Sequence, residues 1–151
     1  AYVRAARAAA AQLGLALAER EVGRPGDLPR RLEELRSRAD VIWLLPDPTV
    51  LQAENVNTLL LASFESRVPL YAFARKYVEL GAVAAAHLDP AALGRQAAVL
   101  LPGCVDSAPA PGAARWQYAV GAELIVNRKV ARKMGLEFDA GLLESADDVL
   151  Q

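Results

Sequence analysis

Residues 68–90 read VPLYAFARKYVELGAVAAAHLDP, and two secondary-structure periods meet inside them. Val68–Phe73 is an apolar run of strand length. It passes into Arg75, Lys76 and Tyr77 with almost no connecting loop. A short helix around Lys76–Leu80 stops at Gly81, and "AVAAAHL" follows as a small-residue strand. Asp89 then stands where a helix N-cap is needed and Pro90 at the first helical position, a strong start signal. Strand, helix, strand and helix start in so short a space make a βαβ unit, and such units build parallel sheets with helices packed on them.

The same alternation extends in both directions. Upstream, Tyr2–Leu13 is Ala-rich with spaced arginines and predicts a helix closed by Gly14. Leu15–Val22 alternates apolar and polar residues and predicts a strand. "GRPGD" is a turn, with Asp27 capping a charged helix through about Arg38. Val41–Leu45 is apolar on both faces, as a strand covered from both sides must be. An amphipathic helix over Thr49–Arg67 returns the chain to Val68. Downstream, Pro102–Ala114 is proline-rich and reads as a loop or crossover. Residues 117–126 are strand-like, and Arg128–Met134 predicts a helix stopped by Gly135, followed by a polar end. The fold class is therefore α/β, a doubly wound parallel sheet in one domain over residues 1–151. With flavodoxin-like strand order 2-1-3-4-5, a further strand is expected between Leu15–Val22 and Val41–Leu45. Without it the sheet has a gap of about 10 Å with two unpaired edges. An upstream segment is the preferred occupant, ahead of a strand from another copy or a rearranged pairing.

Composition narrows the function. Seventeen basic residues against eighteen acidic ones give a net charge of −1, which offers no footprint for nucleic acid. One cysteine, Cys104, rules out an internal disulfide and a cysteine-clustered metal site. That suits the cytosol and a disulfide-free periplasmic domain equally. No stretch of 18 uncharged apolar residues is present to span a bilayer. His87 is the only histidine and has no metal-ligand spacing around it, so a structural or surface role is expected. No serine occupies a G-x-S-x-G elbow, Cys104 lies in a Pro/Gly-rich stretch without a nearby base, and neither common glycine-rich phosphate loop occurs. No catalysis, metal or cofactor is expected.

In open α/β sheets ligands sit at the carboxyl ends of the strands. That rule selects Asp47 and Thr49 after one apolar strand, Arg75, Lys76 and Tyr77 after the next, and Asp89 after the third. Each has a plainer reading. Asp47 can simply cap the helix near Thr49. Arg75 and Lys76 either face the cleft, where arginine offers paired donors to a carboxylate, or form the exposed end of a helix. Glu144, Asp147 and Asp148 in "LLESADDVL" read as a solvated helix end. Asn127, between a strand and a helix, is expected to cap that helix and to serve structure rather than ligand.

Three stretches carry a resemblance: "ADVIWLLPDPTVLQAENVNTLLLASFESRVPLYAF", "YVELGAVAAAHLDPAALGRQAAVLL" and "ELIVNRKVARKMGL". Together they resemble the bacterial ABC-transporter substrate-binding proteins of the uncharacterised type, a group with tryptophan- and tyrosine-binding members. Asp47, Pro69, Val78, Gly81, Asp89, Gly94, Arg95, Gln96, Asn127, Ala131 and Gly135 match the family pattern in order, over about Leu13–Leu136. The resemblance implies the type I periplasmic-binding fold, two α/β lobes closing on a small ligand. This chain would be most of the second lobe, with crossover elements near residues 82–120. It starts inside the family's first helix, so the lobe is expected to be incomplete at its N-terminus. Members often carry a small polar or acidic pair where Arg75 and Lys76 stand, which turns the expectation toward a solute bearing a carboxylate. The implied function is non-catalytic binding of a small organic solute for an ABC permease, in a periplasmic or membrane-anchored extracytoplasmic setting. The alternative is a ligand-sensing regulatory or signalling module of the same fold. A flavodoxin-like enzyme is disfavoured by the missing phosphate loop.

Overall fold

The computed structural model describes residues 2–105 and 118–151, and the part of the expected Pro102–Ala114 loop beyond Val105 lies outside them. Helix α1 is Tyr2–Gln12, α2 Leu28–Arg36 and α3 Ala53–Ser66, with strand β1 (Ile42–Trp43) between the last two. Strand β2 (Leu70–Ala72), α4 (Arg75–Leu80), β3 (Ala84–Leu88) and α5 (Pro90–Val105) follow. Strand β4 (Ala122–Asn127), α6 (Arg128–Lys133), α7 (Ala140–Ser145) and β5 (Asp148–Leu150) complete the chain.

The five strands form one sheet in the order β1-β2-β3-β4-β5. Strands β1, β2 and β3 are parallel, as the βαβ reading requires. The expected uniformly parallel sheet needs one correction, since β4 runs antiparallel to β3, with Leu88 opposite Ala122 and Ala84 opposite Val126. The reason is topological. The chain leaves the sheet at Asp89, beyond the carboxyl end of β3, and comes back through Gly121 at that same edge. A strand entering there can only run back along β3. Strand β5, hidden in the supposedly polar tail, pairs parallel with β4. The observed architecture is mixed α/β with a mostly parallel sheet flanked by helices.

Two further expectations change. Leu15–Val22 forms no strand and joins no sheet. Its alternation supplies a partly buried Val22 against the core, but alternation alone provides no ladder partner. Helix α5 continues to Val105, so Cys104 has helical backbone rather than loop.

The main core lies on the sheet face covered by α2, α3 and α4. Leu70, Ala72, Ala85 and Ile125 are fully buried in adjacent strands, and Val78 of α4 is equally enclosed above them. The small residues of β2 and β3 let α4 sit close to the sheet. Burying one side chain such as Leu70 contributes about 1.5–3 kcal/mol. A second cluster joins Val83 to Ala131 and Met134 of α6.

Candidate ligand-binding edge

Because β1, β2 and β3 are parallel, the residues that follow each strand emerge at one edge of the sheet. Asp47, Arg75 and Asp89 are there together, as the sequence placed them. What each side chain does is more local than its position suggests.

After β1, Asp47 folds the chain back on itself. Its Oδ1 accepts the N–H groups of Thr49 at 2.8 Å and Val50 at 3.3 Å. This aspartate-centred turn satisfies amides that no ladder reaches. Thr49 presents its carbonyl inward, where the Asn55 Nδ2 donates to it at 3.2 Å. The same Nδ2 donates to the Pro25 carbonyl at 3.1 Å, which ties the loop before α2 to the start of α3. Between these segments lies a concavity of about 430 Å³ lined by Pro25, Gly26, Gln52, Ala53, Glu54 and Asn55. Asn55 is buried, and the sequence reading did not single it out. A polar residue at a core-facing helical position was the available signal.

After β2, Arg75 opens α4 with no side-chain cap from Ala74. A cation in the first turn of a helix opposes the helix dipole. The compensation comes from Asp148 of β5, whose Oδ2 accepts from the Arg75 Nη1. Asp148 pairs with Ile125, Ile125 with Ala85 and Ala85 with Ala72, so Asp148 opens β5 at the level of the last residue of β2, after which the chain leads into Arg75. The guanidinium therefore reaches toward β5, away from Asp47 on the β1 side. Its hydrogen bond holds the Asp148 carboxyl below the ordinary aspartate range and raises the Arg75 pKa. The solvated-helix-end reading of Asp148 is thus corrected, since the residue begins a strand and forms this ion pair. Asp147 is likewise engaged, its Oδ2 accepting the Leu124 N–H at 2.7 Å.

The neighbours of Arg75 divide between surface and core. The Lys76 ammonium sits 4.8 Å from the centre of the Tyr77 ring. Tyr77 itself is only 3 % exposed and its ring stacks at a tilt on Phe73, with centroids 5.1 Å apart. The structure thus makes Tyr77 a core residue rather than a lining one, because the third residue of so short a helix turns back onto the sheet.

After β3, Asp89 caps α5. It accepts the N–H groups of Ala91 and Ala92, each at 3.0 Å, and these bonds lower its pKa. Asn127, at the opposite edge, accepts the Val130 N–H at 2.9 Å as a cap. The sequence missed its second bond, from Nδ2 to the Val78 carbonyl at 3.0 Å, which joins β4 to α4.

Solved structures of other proteins share this fold. A structure of a conserved domain protein from Vibrio cholerae is 26% identical and superposes over 98% of this chain and 49% of its own, with a TM-score of 0.76. The ABC domain of a Streptococcus pneumoniae protein in complex with L-Trp is 23% identical over 99% of this chain and 50% of its own, at a TM-score of 0.77. A ligand-free, open substrate-binding protein with adhesive properties from Clostridium difficile is 19% identical over 99% and 49%, at 0.68. The chain thus spans about half the length of the structures it matches. Among curated proteins none matches it. The family model described as ABC transporter substrate binding protein matches residues 1–150, so the chain belongs to that family of binding proteins rather than to any class of enzyme.

Proposed function

We propose that this chain forms most of one lobe of an extracytoplasmic protein, periplasmic or membrane-anchored, that binds a small organic solute and delivers it to an ABC permease. The carboxyl edge of β1–β3 would be one wall of the ligand cleft. The observation that carries this reading is the convergence of the Asp47–Thr49 turn, the 430 Å³ concavity beside it and the Arg75 turn on one edge of a sheet in this family. Asp47, Thr49, Arg75 and Lys76 are the proposed contacts, and Asp89 would shape the rim by fixing the start of α5. Arg75 has further N–H donors beyond the one given to Asp148, and these suit a carboxylate on the solute. The L-Trp held by the pneumococcal structure is such a carboxylate. Among the described residues no helix is long and apolar enough to cross a membrane.

The test uses the full natural polypeptide. Free amino acids, L-tryptophan first, and simple organic acids are screened by thermal shift, with native mass spectrometry for any retained small molecule. At least one solute is expected to raise the melting temperature. Calorimetry should then show Arg75→Ala weakening its binding by roughly 1.5–3 kcal/mol. A protein that neither retains nor responds to any solute overturns the function. Unchanged affinity in Arg75→Ala leaves Arg75 as the partner of Asp148 alone.

A further inference from the structure

Helix α6 concentrates positive charge on one side. Arg128, Lys129, Arg132 and Lys133 fill four of its six positions. With 3.6 residues per turn, those positions share an arc of about 140°. Val130, Ala131 and Met134 take the other side and pack with Val83, just before β3. One face of α6 is thus anchored, and the other is a block of cations with Lys129, Arg132 and Lys133 exposed.

Local structure does not account for this block. Eight arginines elsewhere form ion pairs with carboxylates, whereas the four α6 cations form none among the described residues. Arg132 and Lys133 suit the helix dipole in the last turn, but Arg128 and Lys129 oppose it in the first. Each of them also stands four positions before a like charge, which is repulsive. Of the acids that follow, Asp139 is engaged in capping α7, its Oδ1 accepting the Leu142 N–H at 2.8 Å. Glu137 lines a cavity of about 160 Å³ together with Arg128, Ala131, Arg132, Leu136 and Phe138. Two guanidinium groups beside such a cavity offer donor forks matched to phosphate oxygens. Lys129 and Lys133 do not line it, so one small anion would engage only the arginines. A surface carrying many phosphates engages all four.

We infer that the basic face of α6 docks on an anionic phospholipid surface, with one headgroup phosphate held by Arg128 and Arg132. The inference rests on the proposed delivery to a membrane permease, which brings the protein to a bilayer. The chain carries a net charge of −1, so attraction to such a surface has to come from this patch. The face lacks the apolar centre of a protein–protein interface, because Val130 and Ala131 are turned to the core, and headgroups require charge alone. Helix α6 begins at Asn127, at the edge opposite the proposed cleft, so this contact leaves the cleft free.

Vesicle flotation tests the surface on the full natural polypeptide, produced without lipid modification. The protein is expected to float with vesicles of phosphatidylcholine mixed with phosphatidylglycerol, less so as salt rises, and not with phosphatidylcholine alone. The double variant Arg128→Gln, Arg132→Gln should weaken partition about 30-fold, and Lys129→Gln, Lys133→Gln should weaken it by a similar factor, with melting temperatures unchanged. Failure to float with the anionic vesicles, equal flotation with the neutral ones, or an arginine variant that floats like the native protein overturns the inference. Capture by native membranes without capture by protein-free vesicles indicates a protein partner and overturns it too. So does calorimetric binding of inorganic phosphate without flotation, which indicates a small-anion site. No solute is present in these experiments, so their failure is distinguishable from a failure of solute binding.

Discussion

Single residues at helix starts and strand ends do two jobs in this protein, and only the local one can be read from the chain. Asn127 illustrates the difference. Its cap on Val130 follows from a short polar residue between strand and helix, a relation over three positions. Its bond to the Val78 carbonyl, 49 positions away, depends on how α4 lies on β4. Asn127→Ala removes both, about 1 kcal/mol for the cap and about 0.5–1.5 kcal/mol for the bond to the Val78 carbonyl, which keeps the Gly81 N–H, so a loss of about 1.5–2.5 kcal/mol in urea unfolding is expected. Asn127→Asp keeps the acceptor for Val130 and loses the donor to Val78, and should fall between alanine and the native residue. An aspartate variant as stable as the native protein would assign the whole effect to the cap. Ligand affinity should be unchanged in both. Asp89 was legible for the same reason as the Asn127 cap, since its partners Ala91 and Ala92 are close in sequence. Asp148 was not, because Arg75 is 73 positions away and nothing in "SADDVL" announces it. Tyr77 was assigned to the ligand edge by counting from a strand end, whereas its direction on the helix turned it into the core.

At the scale of elements, helix ends were the most legible feature, and α3 shows what they have in common. The Arg67 N–H bonds the Phe64 carbonyl at 3.3 Å and the Val68 N–H the Ser63 carbonyl at 3.1 Å, closing the helix through a left-handed residue. The same pair of bonds closes α4 at Gly81 and α6 at Gly135, where glycine accepts positive φ without strain. In α3 that residue is Arg67, at φ 55°, the only described non-glycine with positive φ. Left-handed backbone costs a residue with a Cβ about 1–2 kcal/mol, partly offset in glycine by a larger loss of chain entropy. Arg67→Gly is therefore expected to raise stability by about 0.5–1 kcal/mol, read from the urea midpoint, and Arg67→Ala to give no comparable gain. A glycine variant no more stable than the native protein would mean that the Arg67 side chain contributes as much as the strain costs. The strands were legible where apolar runs fell between such stops, as in Val68–Phe73. Their partners and directions were less so. Periodicity describes a face and not a neighbour, which is why Leu15–Val22 read as a strand and why the reversal of β4 went unseen.

The molecule as a whole closes its sheet through its last strand, and the Arg75–Asp148 pair is where that strand meets the ligand edge. Sheet membership of β5 rests on a short register with β4, from Ile125 opposite Asp148 to Asn127 opposite Leu150. The ion pair adds a side-chain tie from β5 to the start of α4, across the intervening strands. Its pH dependence follows from Asp148. The bond from Arg75 lowers the Asp148 pKa in the folded protein, so the unfolded chain binds a proton more readily. Stabilisation from this residue is then complete above the ordinary aspartate value of 3.8 and is lost as pH falls through the lower folded value. Arg75, with its pKa raised by the same bond, stays charged throughout this range. Both partners are partly exposed, so salt should weaken the effect. Asp148→Asn should melt at a lower temperature than the native protein at neutral pH. The difference should persist down to about pH 5, then close as the pH approaches and passes below 3.8, and shrink in high salt at neutral pH. A difference that stays constant to the lowest pH at which both proteins fold would show that Asp148 holds β5 by packing and backbone pairing alone. The unpaired Arg75 of this variant also separates stability from binding. If Arg75 meets the solute carboxylate, Asp148→Asn should bind the solute at least as tightly as the native protein while unfolding more readily.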